Sequence, residues 1–85
     1  PGFDAQSDDK LNEYIRSKAD TAYHPCGTCK MGVDDMSVVD QNLKVKGIEN
    51  LRVIDASIIP EIPSANLNAP TLMIAEKGSD YILNS

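Results

Sequence analysis

Apolar residues near the start of the sequence recur at intervals of three or four positions: Leu11, Tyr14, Ile15 and Ala19. This spacing places them on one face of a helix, with the charged residues between them facing solvent. Ser7 stands before two aspartates, and a serine followed by acidic residues is typical of a helix N-cap and first turn. The pattern predicts an α-helix over residues 7–19.

The middle of the chain changes to alternation, with apolar residues at Val39, Leu43 and Val45. Because a Gln-Asn pair supplies a turn between them, residues 38–46 are predicted to form a hairpin or two brief strands. A second apolar run begins at Leu51, after a Glu-Asn turn. This run predicts a short buried strand that ends at Asp55.

Prolines, serines and asparagines dominate residues 58–70 and predict an extended, turn-rich path. The pattern becomes helical again from Asn68, which can act as an N-cap, and Pro70 suits a first helical turn. The following residues are rich in leucine, isoleucine and alanine. They predict a second helix over residues 69–83.

Length and charge narrow the function classes. The 85 residues allow one small folding unit, and 13 acidic against 8 basic side chains give a net charge of -5 with no basic cluster, which argues against nucleic acid as a partner. No apolar run approaches the roughly 20 residues that span a bilayer. These features favour a soluble, cytoplasmic chain. The opening PGFDAQ lacks an initiator methionine and suggests a fragment of a longer protein.

The stretch TAYHPCGTCKMG, residues 21–32, holds the one histidine and both cysteines, in a loop defined by proline and glycine. The Cys26-x-x-Cys29 spacing is compatible with two packed inert thiols, with a redox pair, or with a metal site that includes His24. A structural zinc ion needs four ligands and only three are available here. Packed thiols are therefore favoured, and no metal site is predicted.

A histidine and an asparagine are the candidates for catalysis. A single histidine is most often an ordinary hydrogen-bonded side chain, but His24 is presented by a constrained loop, as a general acid or base requires. Capping a helix would fully explain Asn68. A helix that begins there would also direct N–H groups at an anion formed during a reaction.

Three segments together resemble the carboxyl-terminal end of the glucose-methanol-choline (GMC) oxidoreductases, and most closely their choline-oxidising members: YHPCGTCKMG, VVDQNLKVKGIENLRVIDASIIP and NLNAPTLMIAEKGSDYIL. The resemblance implies FAD as the cofactor, held mainly by an upstream dinucleotide-binding fold. It also implies an α+β fragment with two helices and short strands. Residues 1–22 would end the substrate-binding domain, and residues 23–85 would form the active-site loop and the segment that completes a Rossmann-like FAD domain.

The resemblance assigns the site residues one by one. His24 matches the first member of the family's catalytic pair and Asn68 matches the second. Two further pairs match cofactor-binding positions: Asp55 and Ala56 near the FAD diphosphate and ribityl chain, and Pro70 and Thr71 at the helix start near the flavin pyrimidine edge. Because Asp55 carries the same sign of charge as phosphate, we expect contact there through backbone N–H groups.

The implied reaction is oxidation of a primary alcohol, choline, to betaine aldehyde, with hydride transfer to flavin. His24 would act either as the base or as a stabiliser of the alkoxide. The remainder of the parent chain is the implied partner, and the isolated segment is expected to be inactive and to self-associate. A membrane-associated electron acceptor would place the enzyme at the inner membrane. The alternatives are a non-catalytic folding or assembly module and a thiol-redox domain.

Overall fold

The computed structural model describes residues 2–4 and 6–84, which contain two α-helices joined by a long irregular segment. Helix α1 spans Asp8–Lys18 and helix α2 spans Asn68–Leu83. A short 3-10 helix, Ala56–Ile58, lies between them and contacts α2. The two predicted helices are therefore confirmed.

Helix α1 begins and ends as its sequence predicts. The Ser7 hydroxyl oxygen accepts a hydrogen bond from the backbone N–H of Lys10 at 3.3 Å, and the N–H of Ala19 donates to the carbonyl of Ile15 at 2.8 Å where the helix ends. No residue of α1 is buried, and Ile15 is 57% exposed. The apolar face of α1 therefore has no partner within the described residues.

The predicted strands are reduced to isolated bridges. Within residues 38–46, Val39 and Val45 form one antiparallel bridge. A second antiparallel bridge joins Lys44 to Arg52 in the segment 51–55. No regular strand forms in the described part of the chain, so the short strands of the predicted α+β fold are wrong as regular elements.

The backbone of residues 38–46, the hairpin segment, turns too often for a ladder of strand hydrogen bonds to extend. The Asp40 carboxylate accepts hydrogen bonds from the N–H groups of Asn42 and Lys44 at 2.8 and 3.1 Å, which closes a tight loop. Leu43 then adopts a left-handed conformation with φ 65°, and Gly47 another with φ 82°. Alternating apolar residues therefore mark a half-buried turn here, not a strand.

A small core lies where the hairpin, the 3-10 helix and α2 meet. Its buried side chains are Val39, Leu43, Ile58 and Ile74. Partly buried side chains pack around it: Met31, Val45, Val53, Ile54, Ile59 and Tyr81. The loop of residues 21–32, which contains both cysteines, is joined to this core by a backbone hydrogen bond. The N–H of Met31 donates to the carbonyl of Ile58 at 2.8 Å.

The start of α2 differs from the prediction. Asn68 is the first helical residue and not the N-cap; Leu67 occupies the cap position and makes no side-chain capping bond. Instead the Leu67 carbonyl accepts two hydrogen bonds from Thr71, at 2.9 Å from the backbone N–H and at 2.6 Å from the hydroxyl. The Asn68 side chain is thereby left without a capping role.

The molecule is elongated. Its radius of gyration is 18.5 Å and its extents are 59 × 27 × 15 Å, whereas a compact domain of this length would have a radius of gyration of about 12 Å. Within the described residues, no helix has the length and apolar character needed to cross a membrane.

Candidate active site

The loop that carries His24 is shaped by short-range hydrogen bonds. The Asp20 carboxylate accepts from the N–H of Thr21 at 2.7 Å, and the Thr21 hydroxyl oxygen accepts from the N–H of Tyr23 at 2.9 Å. Tyr23 is held in the left-handed region with φ 61°, which costs a residue with a side chain about 1–2 kcal/mol. Together with Pro25, this conformation fixes the direction in which His24 leaves the backbone.

A long-range hydrogen bond ties His24 to the start of α2. The backbone N–H of Leu67 donates to His24 Nδ1 at 3.1 Å, across 43 positions of sequence. Since Nδ1 is the acceptor, the neutral imidazole carries its proton on Nε2. The ring therefore presents an N–H donor at the end that points away from Leu67.

An open cleft of about 530 Å³ lies beside His24. It is lined by Thr21, Ala22, His24, Pro25 and residues 62–66. Its volume lies within the range of about 300–1,000 Å³ that is usual for small-molecule sites. The lining is largely apolar, and His24 supplies its titratable group.

Asn68 follows directly after the residue that binds the His24 ring. Its side chain is exposed and makes no hydrogen bond within the described part of the chain. The lining of the His24 cleft ends two residues before it, at Asn66. The structure therefore brings the backbone that precedes Asn68 to His24, and leaves the Asn68 amide free at the surface.

Asp55 and Ala56 lie at the start of the 3-10 helix. Asp55 is its N-cap, and the carboxylate accepts hydrogen bonds from the N–H of Ser57 at 2.8 Å and from the Ser57 hydroxyl. This carboxylate is thus already engaged within its own turn. Backbone N–H groups remain as the donors that this turn could offer to a ligand.

Pro70 and Thr71 lie in the first turn of α2, and the Thr71 hydroxyl proton is used by the Leu67 carbonyl. The N–H groups of a first helical turn have no partner inside the helix, and at this end the exposed pair is Asn68 and Ala69. A set of peptide donors at the positive end of a helix dipole suits an electron-rich cofactor such as reduced flavin.

Cys26 and Cys29 are half-buried free thiols. The backbone N–H of Cys29 donates to the carbonyl of Ser57 at 2.9 Å, so the loop is fastened to the 3-10 helix through its main chain. Residues 2–4 and 6–84 contain no group of three or more His, Cys, Asp or Glu side chains placed to hold a metal ion.

Comparison with known protein families identifies the family to which this chain belongs. The family model of the GMC oxidoreductase carboxyl-terminal domain matches residues 1–75. The chain therefore belongs to the GMC oxidoreductase family, whose members are in general FAD-dependent.

The chain is also similar to individual members of this family. The chain is 60% identical over 82 residues to the oxygen-dependent choline dehydrogenase of Cronobacter sakazakii, and 58% identical over 82 residues to that of Escherichia coli K12. Each match covers 96% of this chain and 15% of the relative. Among solved structures, pyridoxine 4-oxidase from Mesorbium loti superposes with a TM-score of 0.91 at 39% identity, covering 100% of this chain and 16% of that one. The chain thus spans about 15% of the length of the curated relatives it matches.

Two contributors to the geometry around His24 carry no signature in the sequence. Leu67 acts through its backbone N–H, a group that every residue except proline possesses, so residue type could not reveal it. Tyr23 acts through a left-handed backbone that tyrosine seldom adopts. A close contact between residues 43 positions apart can be found only from coordinates or from the superposition on a relative.

Proposed function

We propose that the chain is the carboxyl-terminal catalytic segment of an FAD-dependent alcohol dehydrogenase that oxidises choline to betaine aldehyde. The single observation that supports this most strongly is the hydrogen bond from Leu67 N–H to His24 Nδ1. It joins the histidine loop to the start of α2, where Asn68 lies. Identity of 58–60% to choline dehydrogenases supports choline as the substrate.

The proposal divides the chain into two parts. Residues 1–22 would end the substrate-binding domain of the complete enzyme, and residues 23–85 would supply the active-site loop and complete the Rossmann-like FAD domain. Support for this division comes from the core, which is built from residues 31–81 and includes nothing from α1.

His24 and Asn68 would hold the hydroxyl oxygen of the substrate. With Nδ1 occupied by the Leu67 N–H, the Nε2–H of His24 donates to that oxygen, and the Asn68 amide can donate to it as well without changing charge. FAD, when bound, would supply the acceptor for the hydride that leaves the carbinol carbon, and the hydroxyl proton would pass to water in the open cleft beside His24. The two donors stabilise the negative charge that develops on the oxygen.

The observed hydrogen bond favours one of the two roles considered for His24. To act as a base through Nε2, the neutral ring would need its proton on Nδ1, where it would oppose the N–H of Leu67. The arrangement therefore favours His24 as a stabiliser of the alkoxide.

Four residues would hold the cofactor. Asp55 and Ala56 would contribute backbone N–H groups, because the Asp55 carboxylate is engaged by Ser57. Pro70 and Thr71 would form the helix start beside the flavin, with Thr71 fixing the turn through its bond to the Leu67 carbonyl.

Substitution of His24 tests the proposal in the complete protein. We expect His24→Ala to lower kcat/KM for choline by about 10²–10⁴-fold, the range usual for loss of a positioned acid–base or hydrogen-bonding group. Cys26→Ala and Cys29→Ala are the matched controls from the same loop and should keep most of the activity. Loss of activity in the cysteine variants with retention in His24→Ala would instead support a thiol-redox function.

A further inference from the structure

A second cleft, remote in sequence from the His24 loop, is lined by polar and cationic side chains. It has a volume of about 240 Å³ and lies between the hairpin and the carboxyl-terminal end of α2. Its lining comprises Asn42, Lys44, Arg52, Tyr81 and Asn84. No acidic side chain is part of this lining, although the whole chain carries a net charge of -5.

The two cations of this cleft face each other across an antiparallel pair. Lys44 and Arg52 lie opposite each other in an antiparallel β-bridge, and the backbone hydrogen bonds lie on either side of this pair. The N–H of Val45 donates to the Leu51 carbonyl at 2.9 Å, and the N–H of Val53 donates to the Leu43 carbonyl at 3.1 Å. In such a non-hydrogen-bonded pair the two side chains leave from the same face with their Cβ atoms about 5 Å apart. Like charges placed directly opposite in this way are destabilising.

Arg52 also has an unsatisfied donor. Its Nε is buried and has no hydrogen-bond partner within the described residues. A buried N–H of a charged group that lacks a partner is costly. Arg52 makes no ion pair with any described residue, so residues 2–4 and 6–84 do not compensate this guanidinium.

The surroundings of this cleft carry charges of both signs. The Lys77 ammonium lies 5.4 Å from the centre of the Tyr81 ring, on the helix that borders the cleft. Asp40 and Glu49 line the larger neighbouring cleft that shares Lys44 and Arg52. The Asp40 carboxylate accepts hydrogen bonds from the backbone N–H groups of the hairpin turn and lies near the Lys44 charge, but it makes no ion pair with Lys44 or Arg52.

We propose that this cleft is an oxyanion site in which a carboxylate or phosphate group lies between Arg52 and Lys44. A planar guanidinium can bind such a group through two parallel hydrogen bonds, and an ammonium adds a point charge. Tyr81 and Asn84 line the cleft with a hydroxyl and an amide that can bind the same group. The oxyanion comes either from an acidic side chain outside these 85 residues or from a free small anion.

The sign of a stability change tests the site in the complete protein. If an oxyanion pairs with Arg52, Arg52→Met leaves that anion unpaired and lowers Tm. If nothing pairs with it, the same change removes an unsatisfied donor and a like-charge contact, and Tm rises. Arg16→Met, from the exposed surface of α1, is the matched control and should leave Tm unchanged.

Lys44→Met gives a second measurement at an exposed position that does not depend on packing. We expect it to lower Tm as Arg52→Met does, and we expect the double variant to lose less than the sum of the two single losses, because both side chains bind one group. A rise in Tm for both single variants, together with no effect of phosphate on the Tm of the wild type, would overturn the proposal.

Inorganic phosphate, compared with chloride at equal ionic strength, separates the two sources. A free-anion site predicts that phosphate raises the Tm of the wild type, and that Arg52→Met requires at least tenfold more phosphate for the same rise. An acidic side chain from outside these 85 residues predicts no effect of phosphate on Tm, together with a lower Tm in Arg52→Met. No effect of phosphate together with an unchanged or higher Tm in Arg52→Met would contradict both.

Discussion

His24 is oriented by two residues that have no chemical role of their own. Tyr23 sets the direction of the side chain through its left-handed backbone, and Leu67 fixes the ring through its N–H. The histidine could be singled out from the sequence because a Pro/Gly loop around a single histidine is a local pattern. The expectation that Asn68 caps α2 is wrong, because Leu67 occupies the cap position.

Gly78 shows how one contact can reverse a general rule at the residue scale. It is a buried residue inside α2, where replacement of glycine by alanine normally stabilises a helix by up to about 1 kcal/mol. A Cβ at this position would lie closer than van der Waals contact to Ile54 Cγ2 and 2.9 Å from Ile54 Cδ1. The glycine is therefore required by the close approach of the segment 51–55.

We expect Gly78→Ala to destabilise the complete protein by about 1–3 kcal/mol, because the added methyl group overpacks the contact with Ile54. Urea unfolding measures this change. Ser79→Ala, at the exposed neighbouring position, should stay within about 0.5 kcal/mol of the wild type. In the double variant with Ile54→Ala, the cost should be less than the sum of the single costs; full additivity would argue against the contact.

At the scale of elements, helices were predictable and strands were not. Ser7 and the three- to four-residue spacing that follows are local signals, and α1 obeys them. The alternation around Leu43 is equally local, but the Asp40 side chain competes for the N–H groups that a strand ladder would need. Val39 and Leu43 are buried although their segment forms a turn and not a strand, so the alternation indicated burial without giving the backbone conformation.

The stability that the Asp40 carboxylate gives to the hairpin turn should depend on pH. Hydrogen bonds from the backbone N–H groups of Asn42 and Lys44, followed by the nearby Lys44 charge, lower the pKa of the Asp40 carboxyl from its ordinary 3.8. A group whose pKa is lower in the folded state stabilises that state fully above the unfolded value, and this stabilisation is lost as the pH falls through the folded value.

We therefore expect Asp40→Asn to have a lower urea midpoint than the wild type above pH 3.8, with the gap closing as the pH falls below that value. Urea unfolding of both proteins over a pH series makes the comparison. A gap that does not change with pH would show that the Asp40 charge does not stabilise the turn.

At the scale of the whole molecule, the chain is thin and exposes apolar side chains along both helices. Ile15 of α1, and Leu72 and Leu83 of α2, are 57%, 60% and 80% exposed. The sequence indicated that an 85-residue chain would have a modest core, but it did not predict the extended shape, which arises because α1 packs on no other described element. Apolar surface of this kind normally marks an interaction face.

We expect the 85 residues expressed alone to self-associate and to bind no FAD, because these apolar faces lack cover. Size-exclusion chromatography and flavin absorbance measure both properties. Leu83→Gln should reduce the association, whereas Ser79→Gln, an exposed polar position on the same helix, should not. A yellow, monomeric species would contradict the view that the site is completed by other parts of a longer protein.

The rate at which choline reduces bound FAD in the complete protein, measured by rapid mixing without oxygen, tests the central claim most directly. If His24 stabilises the oxygen of the reacting alcohol, His24→Ala should retain its flavin and be reduced about 10²–10⁴-fold more slowly than the wild type. Reduction of His24→Ala at the wild-type rate would contradict the account.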